Sequence, residues 1–174
     1  MSFEHDTAAS LDAAGRFAIE IRPGWYIAGN ANGGYMLALA ARAMAAHCGR
    51  PDPVTLSAHY LRPGRPGPAA IECRTVKEGR RFATVTAALH GSDRQVLQRL
   101  GAFGDLQQAE PGPERIEAVP PELPPVEDCI HSASSDGPAP PSMERVHRLL
   151  HLHQHPDDAG FRVGPPIGDA HMRG

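Results

Sequence analysis

The chain has 174 residues, is 41% hydrophobic and 21% charged, and carries a net charge of -3, values of a globular rather than a disordered protein. The mild negative charge excludes a general attraction to nucleic acid or to anionic membranes. The three cysteines are widely spaced and include no Cys-x-x-Cys pair, which argues against a disulfide framework or a zinc site and for reduced structural thiols.

Residues Met1 to Asp12 are polar and acidic, with neither a basic n-region nor an apolar h-region, so no secretory signal is expected. The longest apolar run, Tyr35 to Ala46, is interrupted by Arg42 and falls short of the roughly 18 residues of a membrane span. A cytoplasmic location is the expectation. Phe17 to Ile21 reads as a short strand, Pro23-Gly24 as a turn, and Trp25-Tyr26-Ile27 as a second strand piece ended by Gly29.

Gly33 to Cys48 carries the strongest helix signal. Ala38, Ala40, Ala41, Ala43, Ala45 and Ala46 accompany Met36, Leu37, Leu39 and Met44, all good helix formers. Asn30 or Asn32 can cap its start, and Gly49 followed by Pro51 can stop it. A helix apolar nearly all round is expected to be buried. Strands follow over Val54 to Leu61, Ala69 to Val76, Phe82 to Leu89 and Gln95 to Phe103. They are separated by Arg62-Pro63-Gly64, Lys77-Glu78-Gly79-Arg80 and Gly91-Ser92-Asp93-Arg94, and such short turns favour an antiparallel meander. A strand, a helix and then a run of strands predict an α+β layer arrangement.

Residues 109 to 142 hold nine of the eighteen prolines, so the composition predicts an extended linker over 107–142 between a domain at 1–106 and a short segment at 143–174.

Asn32-Gly33-Gly34-Tyr35 opens the helix. The free amides of the first turn and the helix dipole can polarise a carbonyl or hold an oxyanion, and glycine lets a ligand approach the backbone. A plain tight turn and cap explains the same residues. His59, in a strand beside Tyr60, is read as a pocket-lining or core residue before a general base. His147, His151, His153 and His155 have spacings a metal could use, but exposed, incidental histidines are the simpler reading, and no metal is expected. Arg62, Arg65, Arg80 and Arg81 fall at turns, where they are solvated charges or a phosphate contact. There is no Gly-x-Ser-x-Gly elbow, P-loop or Gly-x-Gly-x-x-Gly in the sequence.

Taken in order, Trp25-Tyr26-Ile27-Ala28-Gly29-Asn30-Ala31-Asn32-Gly33-Gly34-Tyr35, the Ala-rich helix, His59-Tyr60-Leu61-Arg62-Pro63-Gly64 and Arg80-Arg81-Phe82-Ala83-Thr84-Val85 resemble the thioesterase-like superfamily near the type II acyl-CoA thioesterases. The resemblance covers about residues 15 to 106. It implies a hotdog fold, an antiparallel sheet wrapped around one long central helix, and hydrolysis of acyl-CoA to free acid and CoA without a cofactor. It assigns Asn32 and Gly34 to catalysis, and Gly33, Tyr35, Met36, His59 and Tyr60 to substrate binding, with the apolar face around Met36, Leu39 and Tyr60 expected to line the acyl channel. Members of that branch are usually double hotdogs. Here residues 143–174 would open a second hotdog that stops, and the family's catalytic Asp with its Thr and Gln helpers would lie in the absent part. Expected partners are therefore acyl-CoA and either a second copy in a homo-oligomer or a second hotdog unit. The alternative is a non-catalytic or truncated hotdog domain that binds acyl-CoA or a partner subunit. A dehydratase would need an Asp-His pair at the helix, which the sequence lacks.

Overall fold

A computed structural model describes residues 2–92, 94–108, 112–113, 118–133 and 144–158. These fall into two compact units, Met1–Pro111 and Gly112–Gly174.

The first unit begins with a short helix α1 (Phe3–Asp6), capped by Ser2, then β1 (Ser10–Leu11) and β2 (Phe17–Ile21). A 3-10 turn over Pro23–Trp25 leads to the small hairpin β3 (Tyr26–Ile27) and β4 (Asn30–Ala31). The long helix α2 (Gly33–Cys48) follows, and then β5 (Asp52–Tyr60), β6 (Gly67–Glu78), β7 (Ala83–His90) and β8 (Gln95–Gly104).

The predicted helix bounds hold because both ends carry their own stop signals. The Asn32 side chain accepts the Tyr35 amide at the start, and Gly49 takes the left-handed conformation at the end (φ 65°). The buried residues Tyr35, Met36, Leu39, Ala40, Ala43 and Met44 form one stripe at helical spacing. Contrary to expectation, burial does not extend all round. Leu37, Ala38, Ala41 and Ala45 are half-buried, and Arg42, Ala46 and His47 are exposed. Small alanines let α2 settle close to the sheet on one side, whereas nothing described in this unit covers the other.

The strands form one antiparallel six-stranded sheet in the order β1-β2-β6-β7-β8-β5. Only β6, β7 and β8 form the expected meander. β5 pairs with β8 at the sheet edge, so the chain crosses two strands to reach β6. Residues 61–66 can span about 20 Å when extended, enough for strands spaced about 4.8 Å apart. Their shortness therefore does not dictate a hairpin. On β7, Ala83, Val85, Ala87 and Leu89 are buried while the residues between them are half-buried. The register aligns Ile71, Leu89, Leu97 and Tyr60 in one row on the inner face, and Cys73, Ala87, Arg99 and Ala58 in the next. The hotdog architecture is thus present: an antiparallel sheet packed on one long helix.

α1 fastens the first turn of α2. Trp25 stacks on Tyr35 with ring centroids 5.3 Å apart and donates its indole N–H to Asp6 Oδ2 at 3.1 Å. Arg42 donates to the Glu4 carbonyl and to Thr7 Oγ1, both at 2.8 Å.

The second unit pairs β9 (Ile130–His131) with β10 (His153–Gln154), and these frame a short helix α3 (Glu144–Leu149). Val146 and His147 are its buried residues on α3. The stretch read as linker therefore contributes a strand here. The part of the predicted third segment beyond residue 158 lies outside the described residues. Among the described residues, no helix is long and apolar enough to cross a membrane.

Candidate functional site

The N-terminal end of α2 is assembled from three segments. Asn32 leaves β4 with its N–H donating to the Trp25 carbonyl (2.8 Å). Its side-chain Oδ1 accepts the Tyr35 N–H at 3.0 Å, and its carbonyl accepts the Met36 N–H at 3.1 Å. The amides of Gly33 and Gly34 are then left with no acceptor among the described residues, as the first turn of a helix requires. Gly34 is exposed. Two N–H groups and the positive end of a 16-residue helix thus converge on an accessible point.

Tyr60, at the end of β5, donates its hydroxyl to the Gly33 carbonyl at 2.8 Å. Its ring lies so close that a Cβ on Gly33 would stand 3.3 Å from it. Beside it opens a cavity of about 340 Å³ whose lining includes Asn30, Ala31, Met36, Tyr60, Leu61 and Gly64. Gly64 packs closely here: a Cβ on it would come within 2.8 Å of Met36 Cε, the movable end of a flexible side chain, and 3.2 Å of Ala31 Cβ. The Tyr26 hydroxyl donates to the Gly64 carbonyl at 3.0 Å and fixes that turn. Burial, and then the neighbouring Tyr35, push the Tyr26 phenol up to about 12, so it remains a donor at neutral pH.

The structure therefore brings Asn32, Gly33, Gly34, Met36 and Tyr60 together. It does not bring Tyr35 or His59 to them. Tyr35 turns into the core, where it accepts the Arg22 N–H at 3.0 Å and faces the Asp6 and Glu20 carbonyls. Burial raises its phenol. His59 precedes Tyr60 on β5, and alternation directs it to the opposite, outer face of the sheet. Leu39 is wholly buried and does not line the cavity.

Among the described residues, no carboxylate lines this cavity. The expected arginines divide between two places. Arg62 and Arg65, with Arg94, line an adjoining cavity of about 440 Å³ that shares Arg62, Pro63 and Val96 with the first. Arg80 and Arg81 line a separate cavity of about 360 Å³ with Arg50, beyond the C-terminal end of α2. The histidines are distributed as well. His147 is buried with Nδ1 3.0 Å from Ser132 Oγ, His131 stacks edge-on with His153, and His155 lies 3.6 Å from Asp157. No group of three or more His, Cys, Asp or Glu among the described residues is placed to hold a metal ion.

Arg99 was not singled out in the sequence. It stands on β8 facing α2, is 1% exposed and donates through Nη1 to the Leu37 carbonyl. Burial lowers its pKa to about 10, against the opposing influence of Tyr60 and Cys73, so it is charged at neutral pH. A strand reading Leu97, Arg99, Gly101, Phe103 on its apolar face carried that signal.

Residues 21–104 match the family model of the acyl-CoA thioesterase N-terminal domain. A protein of Thermobifida fusca YX assigned to thioesterase II superposes with a TM-score of 0.72 at 29% identity, covering 91% of this chain and 56% of its own. A hotdog-fold protein of Alicyclobacillus acidocaldarius gives 0.70 at 24% identity, covering 82% of this chain and 52% of its own. A Bacillus halodurans protein whose structure contains CoA gives 0.51 at 20% identity, covering 56% of this chain and 72% of its own. The chain thus spans about half the length of the first two. No curated protein matches it.

Proposed function

Since residues 21–104 are a hotdog domain of the thioesterase-like superfamily, we propose that the protein binds acyl-CoA at the N-terminal end of α2 and acts in hydrolysis of the thioester to free acid and CoA. The observation that carries this reading is the pair of unaccepted amides at Gly33 and Gly34 beside an apolar cavity. The thioester carbonyl oxygen would sit on the Gly34 N–H, where the helix dipole and a second amide stabilise the charge that develops on it. In other enzymes one such donor contributes on the order of 10²- to 10³-fold in rate. Tyr60 holds the Gly33 carbonyl away from the incoming oxygen, and Met36 offers the acyl group an apolar wall. Asn32 keeps the first turn in place and orients the attacking water or the acyl group. The CoA-containing relative of the same fold is in keeping with such a ligand.

One observation favours a second reading. Because no described carboxylate lines the cavity, the base that activates water would come from outside it, supplied by a second hotdog unit or a second copy. The chain alone would then bind without turning over. Release of CoA thiol from a panel of acyl-CoAs decides the matter. Turnover by the wild type that falls at least tenfold in Asn32→Ala supports the first reading. Binding without turnover supports the second. A chain that neither binds nor cleaves any acyl-CoA defeats both.

A further inference from the structure

Arg99 leaves part of the core chemically incomplete. Its strand neighbours across the inner face are Ala87 and Ala58, with Cys73 beyond Ala87. All are small, so the row leaves room for a guanidinium under α2. Nη1 is taken by the Leu37 carbonyl. Nε and Nη2 are buried and have no hydrogen-bond partner among the described residues. A buried charged donor without an acceptor is costly, and folds rarely keep one. Cys73 cannot supply the missing charge. Burial, and then Cys48, push its thiol up to about 12, so it stays neutral. Tyr60, the other titratable group that acts on Arg99, is a phenol already donating to Gly33.

Nε and Nη2 share one edge of the planar guanidinium. That edge accepts a carboxylate through two parallel N–H···O bonds. The site lies close to the proposed acyl site. Leu37 is three residues on from Gly34, about 4.5 Å along the helix axis. Tyr60, which lines the cavity, is the diagonal neighbour of Arg99 across β5 and β8. An acyl group with its thioester at Gly34 would run its far end beneath Leu37 towards this edge.

We infer that Arg99 recognises a carboxylate at the far end of the acyl group, so that the preferred thioesters are those of short dicarboxylic acids. The inference rests on the acyl-CoA reading above and specifies its substrate class.

Titration calorimetry of the full chain tests it with matched pairs: succinyl-CoA against butanoyl-CoA, and glutaryl-CoA against pentanoyl-CoA. The diacid thioester is expected to bind tighter by on the order of 10- to 100-fold, the range of a charge-assisted pair. In Arg99→Met the ratio falls to about one. Arg99→Lys keeps the charge but not the two-pronged edge and gives an intermediate ratio. Should Arg99→Met fail to fold, the wild-type and Arg99→Lys ratios decide. Equal binding of the diacid and monoacid thioesters by the wild type overturns the inference and leaves the acyl-CoA reading intact. It would mean that water or another chain's carboxylate satisfies the guanidinium. No binding of any acyl-CoA overturns both.

Discussion

Asp6 is a buried carboxylate whose charge the fold accommodates. Burial is the largest influence and raises its pKa, but hydrogen bonds from His5 and Trp25, with the charges of His5 and Arg22, together outweigh it, and the carboxyl lies below its ordinary value. A carboxylate with a lowered folded-state pKa contributes stability above its unfolded value of about 4, and that stability is lost as pH falls through the folded value. The unfolding temperature is therefore expected to drop as pH falls below about 4, and Asp6→Asn, which keeps an acceptor for Trp25, should flatten the decline. Calorimetry across that range would refute this if the two proteins lost stability in parallel. At this scale the candidate site was partly legible. Gly33, Gly34 and the Asn32 cap follow from the first turn of any helix. His59 was misplaced although the sequence held the answer: Leu56, Ala58 and Tyr60 alternate with Thr55, Ser57 and His59, and the apolar set faces the helix. Tyr35 and Met36 are both apolar at one helix end, yet adjacent positions point about 100° apart, one to Trp25 and one to Gly64.

Among the elements, β5 depends on a side chain that is missing. A Cβ on Gly101 of β8 would stand 2.8 Å from Leu56 Cδ2, 3.1 Å from Phe103 Cε2 and 3.0 Å from the Thr55 carbonyl. The last contact is backbone and cannot rotate away. Gly101→Ala is expected to push β5 off β8 and cost about 1–3 kcal/mol, measured by denaturant unfolding. A change below about 0.5 kcal/mol would mean the strand pair yields more easily than its contacts imply. Helix and strand bounds were legible because each carries local punctuation, such as Asn32, Gly49 and the Gly79 turn. Strand order was not. The chain between Tyr60 and Gly67 reads the same whether it turns back at once or crosses two strands, and only packing on α2 decides. β1, β4 and α1 are too short to leave a periodic signal.

For the molecule as a whole, β5 matters most, since among the described residues no strand pairs with its outer edge. It is the last strand of the sheet, and Val54 and Tyr60 on it are about half exposed (45% and 53%). Unpaired backbone with apolar side chains favours pairing with another chain. Sedimentation velocity is expected to show concentration-dependent self-association, reduced in Val54→Lys, whose charge disfavours edge pairing. A wild type that is monomeric at every concentration would rule this out. The clamp between α1 and α2 has one further consequence. Its indole belongs to the only tryptophan of the chain, laid flat on a phenol and tied to a carboxylate. Tryptophan emission therefore comes from this one junction, and its wavelength and yield will report the seating of α2 against α1.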